Sequence, residues 1–466
     1  MYSLPREIHQ EIAGWLGPET QQITRLTSRY FAGLIQPRDV NLLEFGAMCG
    51  VLEYCEIGLS RGNSKIHVCN MAAGSGHLEI LKWARSQGCP WDGETCAIAA
   101  GNGHLEVLQW VRGVFASERN ENTVCPWYSD TCFQAALNGH LEVLKWARSQ
   151  GCPWDEDTCS HAAQNGHLEI LQWARGVLDY TALNQNGEFT SERDVNAVCP
   201  WSEDTCSQAA RYGHLEVLKW ARSQDCPWNE WTCMSAARGG HLEVLKWAYS
   251  QGCPWDASTC SQAAGSGHLE VLKWAYSQGC PWDASTCSQA AGSGRLEVLK
   301  WARSQGCPWS THTCSQAAGS GHLEVLKWAH SQGCPWDKYT CSWAALKGHL
   351  EVLKWARSQN CPWDGDTCAW AAQKGRLEVL KWARSQDCPW NVDTCARAAE
   401  NGHLEVLKWL KSQGCPWNEW TCVMAAARGH LEVLKWALDN DCPWNFREYT
   451  LDYPQHIQDF LAGLRG

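Results

Sequence analysis

The chain has 466 residues, with 31 Trp and 28 Cys against only 7 Phe and 5 Met, a bias that several unrelated domains would not share and that one unit copied many times would. A formal charge of −11 disfavours a phosphate-backbone partner, so no nucleic acid is expected. No apolar run approaches the ~18 residues of a membrane span, and the first ten residues have neither a basic nor a hydrophobic stretch. A soluble intracellular protein, cytoplasmic or nuclear, with reduced thiols and no membrane partner is expected.

In chain order, residues 4–34 come first, and their apolar positions (Leu4, Ile8, Ile12, Leu16, Ile23, Leu26, Leu34) suit two amphipathic helices. Gly50-Val51-Leu52-Glu53-Tyr54 then reads as a decayed copy of the motif that follows, about one period upstream of His77, and so as an N-terminal capping repeat. The motif Gly-His-Leu-Glu-Ile/Val-Leu starts its His at 77 and recurs to His430, with Arg295 and Arg376 in the same slot of two copies. Of the twelve intervals between the 13 copies, ten are 27 residues and two are 36 and 47, so the period is 27, with inserts near 113–124 and 176–198. Residues 241–267 and 268–294 are identical, as duplication of whole units would leave them.

Each unit reads as two helices. In His77–Arg85 the apolar residues 78, 80, 81 and 84 share a side, while Glu79, Lys82 and Arg85 line the other at steps of three and read as a solvated face. The residue before Cys-Pro-Trp is Gly in seven copies and Asp or Asn in four, types that close a helix in the left-handed conformation, and Pro90 forbids continuation. Asp92 then caps a shorter helix that puts Cys96, Ala99 and Ala100 on one face. Helix, turn and helix stacked 13 times predict an all-α solenoid in which neighbouring units supply the core and two Trp columns, Trp83 and Trp91 with their equivalents, stack.

Candidate chemistry reduces to bland readings. Twelve Cys-x6-Cys pairs, such as Cys89 and Cys96, lack the two-to-four spacing of structural zinc sites, and Arg295 and Arg376 replace the following His, so buried thiols and no metal are expected. Every consensus His, Cys and acid recurs many times, whereas a catalytic site needs one constellation in one place, so neither an enzyme nor a cofactor is expected. The inserts hold unique residues, among them Asp179, Tyr180 and Arg193, and read as solvated loops.

The run Thr-Cys-Ser-Gln-Ala-Ala-x-x-Gly-His-Leu-Glu-Val-Leu-Lys-Trp resembles the Ala-Ala-x-x-Gly-His helix pair of the ankyrin repeat over roughly residues 40–445. It departs from that family in its shorter period and in Thr-Cys where the family has Thr-Pro-Leu-His. The projecting hairpin should therefore shrink to a turn around Cys-Pro-Trp-Asp. Leu4-Pro5-Arg6-Glu7-Ile8, with Ser28-Arg29-Tyr30-Phe31 and Leu34, is similar to an F-box, which implies an attachment through Leu4, Pro5, Ile8 and Leu26 to the adaptor of a cullin-RING ubiquitin ligase. The alternative is that residues 4–34 merely cap the solenoid. The expected organisation is an F-box-like segment 1–36, an ankyrin-like array 37–445 and a C-terminal cap 446–466.

Comparison among copies shows variation at the two residues after the Asp/Asn cap and the two after Thr-Cys. Both of the latter are expected to face away from the stack, on the concave side where ankyrin-like arrays bind protein partners. Most central copies carry Gln at the second of these positions, but Trp343, Trp370 and Arg397 follow in consecutive units, side chains ~10 Å apart at ordinary helix spacing. With Tyr339 and Trp420 they form the expected partner-binding patch, the competing reading being that each Trp folds onto its neighbour as packing. The function implied is a non-enzymatic interaction module, either a ligase substrate receptor or a scaffold or decoy with no ligase link.

Overall fold

The computed structural model describes residues 41–113, 124–176, 198–444 and 453–464. The F-box-like segment with Leu4, Pro5, Ile8 and Leu26, the bulk of both inserts and residues 445–452 lie outside the described residues. Among the described residues there are 29 helices and no strand. They fall into two compact blocks, 1–227 and 228–466. The first runs from the pair Leu42–Cys49 and Leu52–Ser60 to the pair Glu203–Arg211 and Leu215–Ser223. The second runs from Glu230–Gly239 and Leu242–Ser250 to Glu419–Ala427 and Leu431–Asp439, followed by Gln455–Gly463. Each block is a stretch of α-solenoid.

One repeat of the second block shows why the sequence folds this way. Asp256 has extended backbone and its carboxylate accepts from Ser258 N at 2.9 Å, which starts the first helix, Ala257–Ser266. Thr259, Cys260, Ser261, Ala263 and Ala264 are its buried residues, all small, so successive first helices pack directly on one another. Gly267 stops the helix at φ +89°, with the His268 N–H closing on Ala263 O at 2.9 Å. The second helix, Leu269–Ser277, buries Val271, Leu272 and Ala275 and exposes a Lys273–Glu270 pair at 2.7 Å. Gly279 ends it at φ +76°. Asp225, Asn360, Asp387 and Asp441 stand in that slot elsewhere at φ 59–61°, so the helix-ending role read from composition holds for the non-glycine copies too.

Two expectations need correction. Arg85 does not belong to a merely solvated face: its guanidinium lies 4.0 Å over the Trp91 ring and donates to Cys89 O at 2.6 Å. Trp91 is thereby held between Arg85 and the edge of Trp110, whose centroid is 5.7 Å away. Elsewhere Arg303 (3.9 Å over Trp309), Lys411 (3.9 Å over Trp417), Tyr249 (stacked on Trp255 at 4.2 Å) and His330 (stacked on Trp336 at 3.8 Å) take the place of Arg85 as a lid on the link Trp. The second correction is that the first residue after Thr-Cys does not face outward. Ser342 is 0% exposed, and Ser261, Ala369 and Val423 are buried with it. First helices have neighbours on both flanks, and this position falls on a flank.

The cysteines of one repeat do not meet each other. Cys260, on a first helix, pairs with the thiol of Cys280, which begins the next link, and Cys280 Sγ in turn lies 3.5 Å from Asp256 O. The same inter-repeat pair recurs at Cys132 with Cys152 in the first block, and at Cys341 with Cys361 in the second. Contact with the neighbouring thiol, followed by burial, pushes Cys260 far above the ordinary thiol range. Among the described residues no group of three or more His, Cys, Asp or Glu is placed to hold a metal ion.

Candidate interaction surface

What varies in this array lies on the first helices. Twenty-six of the 31 Trp occupy the two structural columns, and four of the other five, Trp231, Trp343, Trp370 and Trp420, are on first helices. The second residue after Thr-Cys lies at the surface: the exposed Gln289 lies over Gly265 and the exposed Gln316 over Gly292, where an added Cβ would stand 3.3 Å from the Gln Cβ. Trp343 repeats that arrangement over Gly319.

Three of the predicted residues come together. Trp343 of Lys338–Lys347 meets Trp370 of Gly365–Gln373 edge to face at 5.7 Å, and Tyr339 stacks on Trp370 at 6.1 Å. The rings therefore lean together across the repeat boundary rather than standing ~10 Å apart. Each Trp packs on its neighbour and still keeps part of its surface in solvent. Tyr339 is 43% exposed. Beside it Lys338 Nζ bridges to Asp364 Oδ2 at 2.6 Å, and that contact holds the ammonium pKa above its usual value.

Arg397 continues the row, its Nη1 donating to Gln373 Oε1 of the preceding repeat at 3.1 Å. Trp420 lies three repeats beyond Tyr339 in the equivalent slot, 45% exposed. The sequence reading missed Trp231, 52% exposed in that same slot, although Asn-Glu-Trp-Thr-Cys occurs word for word at 229–233 and 418–422.

The family model for ankyrin repeats in many copies matches residues 395–438, a stretch holding the first helix that carries Arg397 and the one that carries Trp420. Residues 395–438 are thus similar to ankyrin repeats. The other 27-residue units are copies of the same pattern, with the same caps, turn glycines and buried positions. Among solved structures, the crystal structure of the human ASB11 ankyrin repeat domain matches at 18% identity and TM-score 0.33, over 40% of this chain and 99% of that one. No curated protein matches. No helix among the described residues is long and apolar enough to cross a membrane.

Proposed function

We infer that this chain is a protein-interaction module, as its ankyrin-repeat match suggests. We propose that this array captures a protein through the first-helix face of residues 338–428, with Tyr339, Trp343, Trp370, Arg397 and Trp420 as the anchoring side chains. The observation that carries the reading is the aromatic cluster itself. Equivalent positions hold Gln in most central copies, so folding does not demand Trp there, and Trp and Arg are the types most enriched at binding hot spots.

The finer reading makes the chain a substrate receptor of a cullin-RING ubiquitin ligase, with residues 1–36 docking the adaptor through Leu4, Pro5, Ile8 and Leu26. It rests on the Leu-Pro-x-Glu opening and the Arg29-Tyr30-Phe31 close. Affinity purification with mass spectrometry on the full chain and on a chain lacking residues 1–36 tests it. Adaptor and cullin should co-purify with the full chain alone, while the substrate stays with both. A full chain that brings down its partner without adaptor makes this a scaffold or decoy.

A further inference from the structure

A second site lies in the first block, well apart in sequence from the aromatic cluster. Between the first helices Gly93–Gly101 and Asp130–Leu137 runs a cleft of about 450 Å³. Its residues depart from the repeat pattern in concert. Tyr128 stands where most other links carry an Asp, Asn or Ser cap, and the helix it precedes begins at Ser129 with no side-chain cap hydrogen bond. Loss of such a cap destabilises a helix. Tyr128 instead forms a wall, 50% exposed, its ring packed over Gly93 so closely that a Cβ there would lie 2.5 Å from it. Ile98 occupies the slot that is Gln in most central copies and gives the cleft an apolar floor beside Gly101.

The charged groups of the rim are all acceptors. Glu94 and Asp130 bring two carboxylates. Glu94 is oriented by the buried Asn70, whose amide donates to Oε2 at 3.0 Å. Asn102 and Asn138 each spend one amide N–H on the carbonyls of Ile98 (2.9 Å) and Gln134 (3.0 Å) and offer their Oδ1 atoms as further acceptors. No Lys or Arg lines the cleft. A ligand for it must be cationic, rich in donors, apolar along its stem, and flat enough to lie on an aromatic ring. A guanidinium has five N–H donors in a planar fork and stacks on aromatic faces, whereas an ammonium has three donors and holds its hydration more strongly. The geometry points to this cleft as the docking site for an arginine side chain of a protein partner, its stem on Ile98 and its guanidinium between Tyr128, Glu94 and Asp130.

The test uses the full chain and three capped tripeptides, Gly-Arg-Gly, Gly-Lys-Gly and Gly-citrulline-Gly, read by saturation-transfer NMR on the peptide side-chain protons. Transfer to the arginine peptide should exceed that to the other two by on the order of threefold. It should fall to their level in Glu94→Gln with Asp130→Asn, and also in Tyr128→Ser. The Ser variant supplies the cap that Ser202 and Ser310 provide elsewhere, so it should melt at or above the wild-type temperature while losing the peptide. Equal transfer to lysine and arginine peptides, or arginine transfer unchanged in either variant, overturns the assignment. So does a Tyr128→Ser chain that loses binding by unfolding.

Discussion

The ring of His104 reaches back thirty residues to place Nε2 3.1 Å from Gly74 O, at the end of the preceding repeat's first helix. A carbonyl only accepts, so Nε2 carries the proton. The same bond joins His167 to Leu137, His403 to Gln373 and His430 to Glu400, and His456 makes it to Gly429 from the C-terminal helix. The His column is therefore a row of inter-repeat clasps, each covering a helix-end carbonyl.

Burial of these rings, rather than the clasp bond itself, makes the array acid-sensitive. Burial, opposed in part by the carbonyl bond, lowers the pKa of His349 and of His403 below the ordinary histidine value. For a group whose folded pKa is depressed, the unfolded chain binds the proton first, so stability is full above about pH 6.5 and falls as pH drops below it. Urea midpoints at pH 7.5 and 5.5 should differ in that direction. His349→Arg, the residue that positions 295 and 376 carry naturally, should make the pH 5.5 loss smaller.

The glycine before each His or Arg of the motif meets two demands. At Gly294 φ is +72° and an added Cβ would stand 2.7 Å from the His322 ring, whereas at Gly279 φ is +76° with nothing within 4 Å. Left-handed backbone alone costs an L-residue about 1–2 kcal/mol. Gly279→Ala should lose about that much, and Gly294→Ala clearly more, in chemical denaturation.

The lid over the link Trp should be exchangeable by class. Arg303→Ala removes a cation over Trp309 and a donor to Cys307 O, a loss of about 1–2 kcal/mol. Arg303→Tyr should recover most of it, since Tyr276 stacks on Trp282 at 4.2 Å in the identical place. A thermal melt of the two variants decides.

The thiols should be nearly inert despite their number. Of the 28 cysteines only Cys49 is exposed. Burial raises Cys55 and Cys69 to about 12, so few thiolates form at neutral pH. Ellman's reagent on the native chain should titrate about one thiol quickly and the rest only in denaturant.

The parts of this fold legible in sequence are those set by local chemistry. Asp256 as a cap, Gly267 and Gly279 as helix ends, and Val271, Leu272 and Ala275 as the buried stripe all follow from spacing within one unit. Contacts between units were not legible, because a strict 27-residue period gives every column the same phase and does not say which copy a side chain touches. Hence Cys260 meets Cys280 rather than Cys253, His104 clasps the repeat behind it, and Ser342 is buried by a flanking helix. The cleft at Tyr128 was overlooked for a related reason: its residues come from two repeats and look unremarkable singly.

Trp343 and Trp370 are the proposed recognition side chains. Gln restores at both positions the residue that most central copies carry, and at position 343 it would lie over Gly319 as Gln289 and Gln316 lie over Gly265 and Gly292. The most direct measurement is the affinity of the full chain carrying Trp343→Gln and Trp370→Gln for the partner captured by the wild type, taken alongside its melting curve. The account predicts an unchanged melt and an affinity lower by about 2 kcal/mol or more. Unchanged affinity together with a lowered melting temperature would assign both rings to packing and contradict it.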